Sequence, residues 1–505
     1  MQSRKKRYMA FILPGFLLGA ACSFCLLQCS NEKAPSRGPK DRGNLVIIVA
    51  DALRRDILGC YGGPGRTPNI DRLAREGTLF ENAYSTAPCT MPSSVAMLTG
   101  NYARSYTFSH KVRYRSDMDR EKKGYFFRVG EGAQLFAESL KLAGYETRAA
   151  VENGLVKRSN LLQGYTLCPD ASQMSGESLD RLEKELGFRM LNQAYGKQAG
   201  MLDFLLNVPS GRNFAALIWI YDPHGPYDPP EEFRKHIPVD PKDLPRPLTF
   251  YTSAKQKQLR QLTQSGELTP LEIRYLRGLY QAEVASMDQR VGYVLQALEK
   301  SGQLDNTLIV FTSDHGESLG EHKHFGHARA IFQELVRVPL IFRGPGVSPG
   351  EKRDHILSHL DLTPTLSEIT GVECNSRSMG RSYAAALRGK TIPQRFLYFD
   401  WFSNSLNKDW AGVDGALDFP FKLIVKRNNE EYTYTLYDLS TDPGEAKDLA
   451  DKKAREIKRI FARILRLRKR NRELLEEHIR QLGDKIDPDE EIRRTREKLK
   501  SLGYL

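Results

Sequence analysis

Beyond its first thirty residues the 505-residue chain has no apolar run long enough to cross a bilayer, which excludes a multi-span membrane protein. Of its seven cysteines, the four beyond the N-terminal run form no CxxC pair and no zinc-ligand spacing. Cys22, Cys25 and Cys29 belong to the N-terminal apolar run, while Cys60, Cys89, Cys168 and Cys374 are widely spaced, the pattern of free thiols. There are no internal repeats. A basic groove for nucleic acid is also missing, despite a formal net charge of +13. Arg4–Arg7 holds +4, and residues 451–505, with 18 Lys/Arg against 11 Asp/Glu, hold +7, so the rest of the chain carries only +2. No nucleic-acid partner is expected. Hydrophobic residues make up 40% and aromatics 10%, enough to exclude a disordered chain and to build a large core.

What is present begins with an export signal. Arg4-KKR precedes an apolar run from Tyr8 to Cys29, and this charge bias places the N-terminus inside and the remainder outside the membrane. Leu26-Leu27-Gln28-Cys29 reads as a loose lipoprotein box with Cys29 as the modified residue; Gly19-Ala20-Ala21-Cys22 competes with it, and an uncleaved anchor is the other form. In each case the protein is expected to be extracytoplasmic and tethered to the membrane through its N-terminus. Residues 1–29 are thus a signal or anchor segment, and 30–43, rich in Lys, Pro, Gly and Ser, a linker.

Asn44-LVIIVA-Asp51, Phe214-AALIWIY-Asp222 and Leu308-IVFTS-Asp314 are continuous apolar runs that end in an acid, the mark of buried parallel strands. Helical stretches at Asp71–Glu76, Gly132–Leu142 and Leu271–Lys300 separate them. The alternation predicts an α/β fold with a doubly wound sheet over residues 44–395, its ligands at the carboxyl ends of the strands, where Asp51, Asp222 and Asp314 should converge. Phe396-LYFDWF, Phe421-KLIVKR and Glu431-YTYTLYDL predict a small antiparallel C-terminal subdomain over 396–450. Residues 451–505 read as a charged helical tail with Ile457, Ile460, Phe461, Ile464 and Leu465 on one face and Leu474, Leu475, Ile479 and Leu482 further on. That face is expected to pack on the body; a membrane-surface helix, with Arg463, Arg466 and Arg470 opposite, is the alternative.

Asp51 and Asp314 end two buried strands and His315 follows directly, a set suited to a hard-to-borderline divalent metal. Four of the ten histidines, His315, His322, His324 and His327, lie within thirteen residues, a concentration that core packing does not need. In Ala87-PCTMPSSVAMLT-Gly100, Pro92 can begin a helix, which sets the Thr90 hydroxyl near a helix N-terminus that favours anions.

These segments, in this order, resemble the sulfatase family of the alkaline phosphatase superfamily. The resemblance runs through Asn44-LVIIVADALRRDILGCYG, Thr67-PNIDRLAREGTLFENAYSTAP, Tyr221-DPHGPY, Asp305-NTLIVFTSDHGESLGEH, Arg337-VPLIFRGPG and Tyr437-DLSTDPGEAKDLA, and covers nearly all of residues 44–505. It implies a metal site in which Asp51 matches the first metal aspartate and Asp314 and His315 the downstream pair. It further implies that His224 approaches the ester oxyanion and that His327 is a second such group.

The departures from the family are informative. Sulfatases carry Cys-x-Pro-Ser-Arg, whose cysteine becomes formylglycine; counting back from Thr99-Gly100, that position is Thr90, and Cys89 lies one residue early. No formylglycine is expected. Ser94 stands at the arginine position and Ala52 at the second metal aspartate. Glu152, Asn153 and Gly154 occupy the stretch where sulfatases hold sulfate with Lys and His. A Thr nucleophile activated by a divalent cation therefore fits phosphate monoesters or diesters, hydrolysed or transferred, better than sulfate. Thr90, His224 and His327 are the catalytic candidates. Asp51, Thr90, Asp314 and His315 would hold one metal, manganese or zinc before calcium or magnesium. The alternatives are a sulfatase in the strict sense and a non-catalytic surface binding protein on the same fold. Segments 105–130 and 231–268 depart from the family pattern and are expected to wall the pocket, with Arg113, Arg115, Lys122 and Lys123 suited to an anionic substrate.

Overall fold

The computed structural model describes residues 43–115, 121–130, 133–187, 196–208, 211–248, 253–328, 330–374, 377–401, 413–428 and 431–481. The export segment, most of the linker and the last 24 positions, Leu482 included, lie outside them.

The first half of the chain supplies strands β1 (Asn44–Ala50), β2 (Thr78–Tyr84), β3 (Thr107–Arg115), β4 (Glu121–Val129), β5 (Glu146–Val151), β6 (Thr166–Leu167) and β7 (Phe214–Ile220). Next come β8 (Thr307–Ser313), β9 (Ser318–Leu319), β10 (Phe325–Gly326), β11 (Arg337–Val338), β12 (Leu340–Arg343) and β13 (Glu351–Ser358). The last four are β14 (Leu397–Trp401), β15 (Val413–Asp418), β16 (Phe421–Asn428) and β17 (Glu431–Asp438).

β1 lies at the centre of the large sheet, parallel to β7 on one side and β8 on the other. Beyond β7 the sheet continues through β5 and β6, both parallel. Beyond β8 it continues through β12, antiparallel, to β2, whose far edge pairs with β13. Every residue of β1, β7 and β8 is buried, as parallel strands covered on both faces must be. The side-chain alternation of β1 divides the core. Val46, Ile48 and Ala50 join Ile70 and Leu73 of helix Pro68–Glu76 and the apolar side of helix Pro270–Lys300. Leu45, Ile47 and Val49 face the opposite layer, with Val95 of helix Thr90–Thr99 and Leu362 and Leu366 of helix Leu362–Thr370. Helices on both faces make the sheet doubly wound. Thr269 and Glu272 form a capping box, with Pro270 as the first helical residue, which sets where the long 270–300 helix begins.

β14–β17 form the separate antiparallel sheet, with β15 the strand that the apolar runs alone did not mark. One face, with Phe399, Trp401 and Ile424, packs on Tyr84 and Leu335 of the large unit. The other, with Leu423, Val425 and Leu436, takes Ile460 and Ile464 from helix Ala454–Gln481. The tail helix thus turns its apolar stripe into the sheet. Leu465 departs from the expected face and is 45% exposed, because the buried stripe runs through 457, 460, 461 and 464. The opposing cations are partly used as well: Arg463 lies over the Phe396 ring at 3.8 Å and pairs with Asp418, and Arg468 pairs with Asp414.

Candidate active site and metal centre

Two strand ends and one helix start meet at the carboxyl edge of the sheet. Asp51 follows β1, Asp314 and His315 follow β8, and Thr90 is the first residue of helix Thr90–Thr99. All four side chains are buried, at 0–3% exposure. Each carboxylate is anchored through one oxygen only. Asp51 Oδ2 accepts from Asn153 Nδ2 at 2.6 Å and Trp219 Nε1 at 3.0 Å, and Asp314 Oδ1 accepts from the backbone N–H of Ala52 and His315 at 3.0 and 2.9 Å. The other two oxygens, Asp51 Oδ1 and Asp314 Oδ2, are buried without a hydrogen-bond partner. They lie 3.8 and 3.4 Å from His315 Nε2, and Thr90 Oγ1 lies 3.3 Å from the same nitrogen. His315 Nδ1 donates to the Gly316 carbonyl at 2.8 Å, which leaves the lone pair of Nε2 facing the carboxylates.

Four donor atoms at these separations fit one divalent cation with ligands about 2.1 Å away. Asp51, Asp314 and His315 offer ligand atoms within 4.8 Å of one another. Two buried polar oxygens left unpaired are costly unless a cation or proton satisfies them. Burial and the Asp51 charge push the Asp314 carboxyl well above its usual range. Burial, with His327 adjacent, pushes His315 down to about 3. The structure thus supplies residues that could hold a metal.

Thr90 also sits where the helix dipole favours negative charge. Ser93 Oγ, one turn on, donates to the Asp314 carbonyl, and Ser94 Oγ donates to the Thr90 carbonyl at 2.5 Å. Cys89 turns away: its side chain packs with the cluster of Tyr84, Phe399 and Trp401, and burial pushes its thiol far up.

The other two candidates line the same edge. The His327 ring lies 4.5 Å from that of His315 and 4.8 Å from that of His224. Glu317, buried, holds His327 Nδ1 at 3.1 Å, and the Gly225 carbonyl holds His224 Nδ1 at 2.6 Å. His327 is pushed down to about 3 by burial, with the neighbouring His224 second.

Asp222 is the exception among the expected carboxylates. It follows β7, but its Oδ2 accepts from Arg290 Nη1 at 3.0 Å, and Glu152 pairs with the same buried guanidinium. A buried arginine needs its counter-ions, so these two carboxylates are committed to Arg290. Ala52, at the second-aspartate position, has φ of 57°. Trp219, Asn153 and Glu317 were not singled out by role from the sequence; only Glu317, inside the Asp314-His315-Gly316-Glu317 cluster, carried a signal. β3 and β4 pair as a hairpin across the 105–130 segment. Arg113, Arg115, Lys122 and Lys123 fall on it, and their side chains lie outside the described set.

A family model described as Sulfatase matches residues 43–372, and one described as N-sulphoglucosamine sulphohydrolase, C-terminal, matches residues 320–471. An N-acetylglucosamine-6-O-sulfatase of Bacteroides thetaiotaomicron is 25% identical, over 94% of this chain and 92% of its own length. A choline-sulfatase of Rhizobium meliloti is 26% identical, over 81% and 82%. The solved phosphonate monoester hydrolase from Silicibacter pomeroyi superposes with a TM-score of 0.62 at 22% identity, covering 85% of this chain and 96% of that one.

Proposed function

The chain belongs to the sulfatase family, and from that premise we propose that it is a metal-dependent hydrolase of anionic esters with Thr90 as nucleophile, acting on phosphate esters in preference to sulfate. The observation that carries this reading is the pair of unpartnered buried oxygens, Asp51 Oδ1 and Asp314 Oδ2, beside His315 Nε2 and the Thr90 hydroxyl.

Asp51, Asp314, His315 and Thr90 would hold one divalent cation, manganese or zinc by their mixed N and O donors; when bound it lowers the hydroxyl pKa and offsets charge on the transferring group. Thr90 attacks the phosphorus, and the bond to the leaving oxygen breaks. The helix N-terminus behind Thr90 favours the charge that develops on the oxygens. His224 and His327 carry the protons: with Nδ1 held by Gly225 and Glu317, each has Nε2 left to accept the proton of Thr90 or, once protonated, to give it to the leaving alcohol. Water then cleaves the phosphothreonine; an acceptor alcohol in its place makes the reaction a transfer.

Phosphate is preferred because the positions that bring positive charge to sulfate in the family do not do so here. Ser94 is turned to the Thr90 carbonyl, Glu152 to Arg290 and Asn153 to Asp51. A sulfuric ester hydrolase is the second reading, favoured by the sulfatase names of the similar curated proteins. The protein would act outside the cytoplasmic membrane, tethered through its N-terminus. The test is hydrolysis of aryl phosphate, bis-aryl phosphate and aryl sulfate by metal-stripped protein supplied with manganese, zinc, calcium or magnesium in turn. Phosphate turnover supports the reading, and turnover of sulfate alone overturns it.

A further inference from the structure

Helix Ser253–Ser265, in the segment that departs from the family pattern, packs beside β10 and the turn Glu321–Lys323. From it Arg260, half-buried, reaches the imidazole side of the site. A Cβ built on Gly326 would stand 3.8 Å from Arg260 Nε and 3.8 Å from Glu317 Oε1, so the guanidinium and the carboxylate that holds His327 lie beside the same glycine. The positive charge of Arg260 acts on both Glu317 and His327.

Neighbouring arginines are committed: Arg54 to Asp56 and Glu321, Arg277 to Glu321, and Arg290 to Glu152 and Asp222. Arg260 makes no hydrogen bond or ion pair among the described residues. A guanidinium with free donors near a site for anions is suited to a carboxylate or phosphate.

In the reading above His224 and His327 mark the side from which the leaving alcohol departs, and Arg260 lies on that side, beside Gly326 and the Glu317 carboxylate that holds His327. Resting on the ester-hydrolase reading above, we propose that Arg260 is a specificity-determining residue that binds an anionic group on the leaving alcohol, so that the preferred substrate is an ester whose leaving portion carries a second negative charge.

Two aryl phosphates test this: 4-carboxyphenyl phosphate and its uncharged counterpart, 4-carbamoylphenyl phosphate. In wild-type protein the charged ester should have the lower KM. Arg260→Ala should raise KM for the carboxylate ester about tenfold, the scale of one charge-assisted hydrogen bond, and leave KM for the amide ester within twofold. Arg260→Lys should recover part of the loss. If Arg260 served only to neutralise Glu317, Arg260→Ala would change kcat and its pH profile alike for both esters; that result, or no change in either, overturns the inference while the ester-hydrolase reading stands. If wild-type protein hydrolyses neither ester, that reading falls instead. Calorimetric binding of 4-hydroxybenzoate against 4-hydroxybenzamide then decides Arg260 by itself: a carboxylate preference lost in Arg260→Ala upholds the contact, and equal binding removes it.

Discussion

Among the described residues stand two groups of acids and imidazole, and one of the two has the makings of a metal centre. Asp51, Asp314 and His315 form the first; His322, Glu334 and Glu445 form the second, with ligand atoms within 4.8 Å in each. Composition and spacing do not separate them, and nor does backbone strain. Ala52, next to Asp51 of the first, has positive φ, and so do His322 and Glu445 in the second. The difference is in the lone pairs. In the first group Asp51 Oδ1 and Asp314 Oδ2 are unpartnered beside a free imidazole nitrogen. In the second, Lys422 Nζ sits 2.7 Å from Glu445 Oε1, the Gln333 N–H donates to Glu445 Oε2 at 2.6 Å, and Ser318 donates to Glu334 Oε1. The His322 ring is stacked on Phe332 at 3.7 Å. A buried ammonium already occupies the place a cation would take.

The largest effect is expected at the nucleophile. Thr90→Ala should lower turnover of aryl phosphate by a factor of about 1000 or more, while the thermal unfolding midpoint of the metal-free protein stays close to that of wild type. Cys89→Ala, in the apolar contact with Trp401, should retain activity within about twofold. Activity that survives in Thr90→Ala and vanishes in Cys89→Ala would transfer the nucleophile to Cys89.

The two groups should respond in opposite ways when a carboxylate is neutralised. Asp314→Asn should lower bound metal at least about tenfold by elemental analysis, since a coordinating anion is lost. It should also stabilise the metal-free fold, because the folded state no longer has to hold protonated a carboxyl that the unfolded chain leaves ionised. Glu445→Gln should leave metal content unchanged and cost about 3 kcal/mol in urea unfolding, because Lys422, 0% exposed, keeps its charge and loses its partner. If metal content falls with Glu445→Gln and not with Asp314→Asn, the roles of the two groups are reversed.

The contrast also explains what could be read in advance. Asp51, Asp314 and Thr90 were legible because strand-end acids and a helix-starting Pro are local signals, as were the apolar runs that became β1, β7 and β8. The four histidines between 315 and 327 looked like one cluster. The fold divides them: His315 and His327 enter the site, and His322 goes to Phe332. Which way each turns depends in part on partners far along the chain, such as Glu445 beside His322, that no short window contains. Asp222 reaches the expected sheet edge, but its partner Arg290, 68 residues away, is not a local signal. Trp219, Asn153 and Arg260 come to the site only through sheet order and helix packing.

A smaller effect separates the groups by pH. In metal-free protein Asp314 is held well above its ordinary value of 3.8. The folded state therefore keeps a proton that the unfolded state loses, so the stability it brings is full below about pH 4 and is lost as pH rises through the folded value. His315, pushed down to about 3, works the other way and costs stability only below its ordinary 6.5. In the second group Glu334 is raised to about 7, so its loss is nearly complete by pH 8. Above about pH 4, urea stability of the metal-free protein should fall with pH more steeply than that of Asp314→Asn, by up to about 1.4 kcal/mol per pH unit. Glu283, raised to about 9, titrates in the same window and cancels in that difference. Parallel slopes for the two proteins would mean that Asp314 is already ionised.

The smallest effect tests strain itself. Ala52 has φ of 57°, and its N–H holds Asp314 Oδ1 at 3.0 Å, so the left-handed backbone is what aims the carboxylate. An alanine there costs about 1–2 kcal/mol relative to the right-handed region, and glycine costs nothing sterically but gives back about 0.5–1 kcal/mol in chain entropy. Ala52→Gly should therefore raise stability by about 0.5 kcal/mol in urea unfolding and leave metal content unchanged, because the N–H stays in place. Loss of metal in this variant would mean that the Ala52 methyl, and not only its backbone, keeps Asp314 pointed at His315.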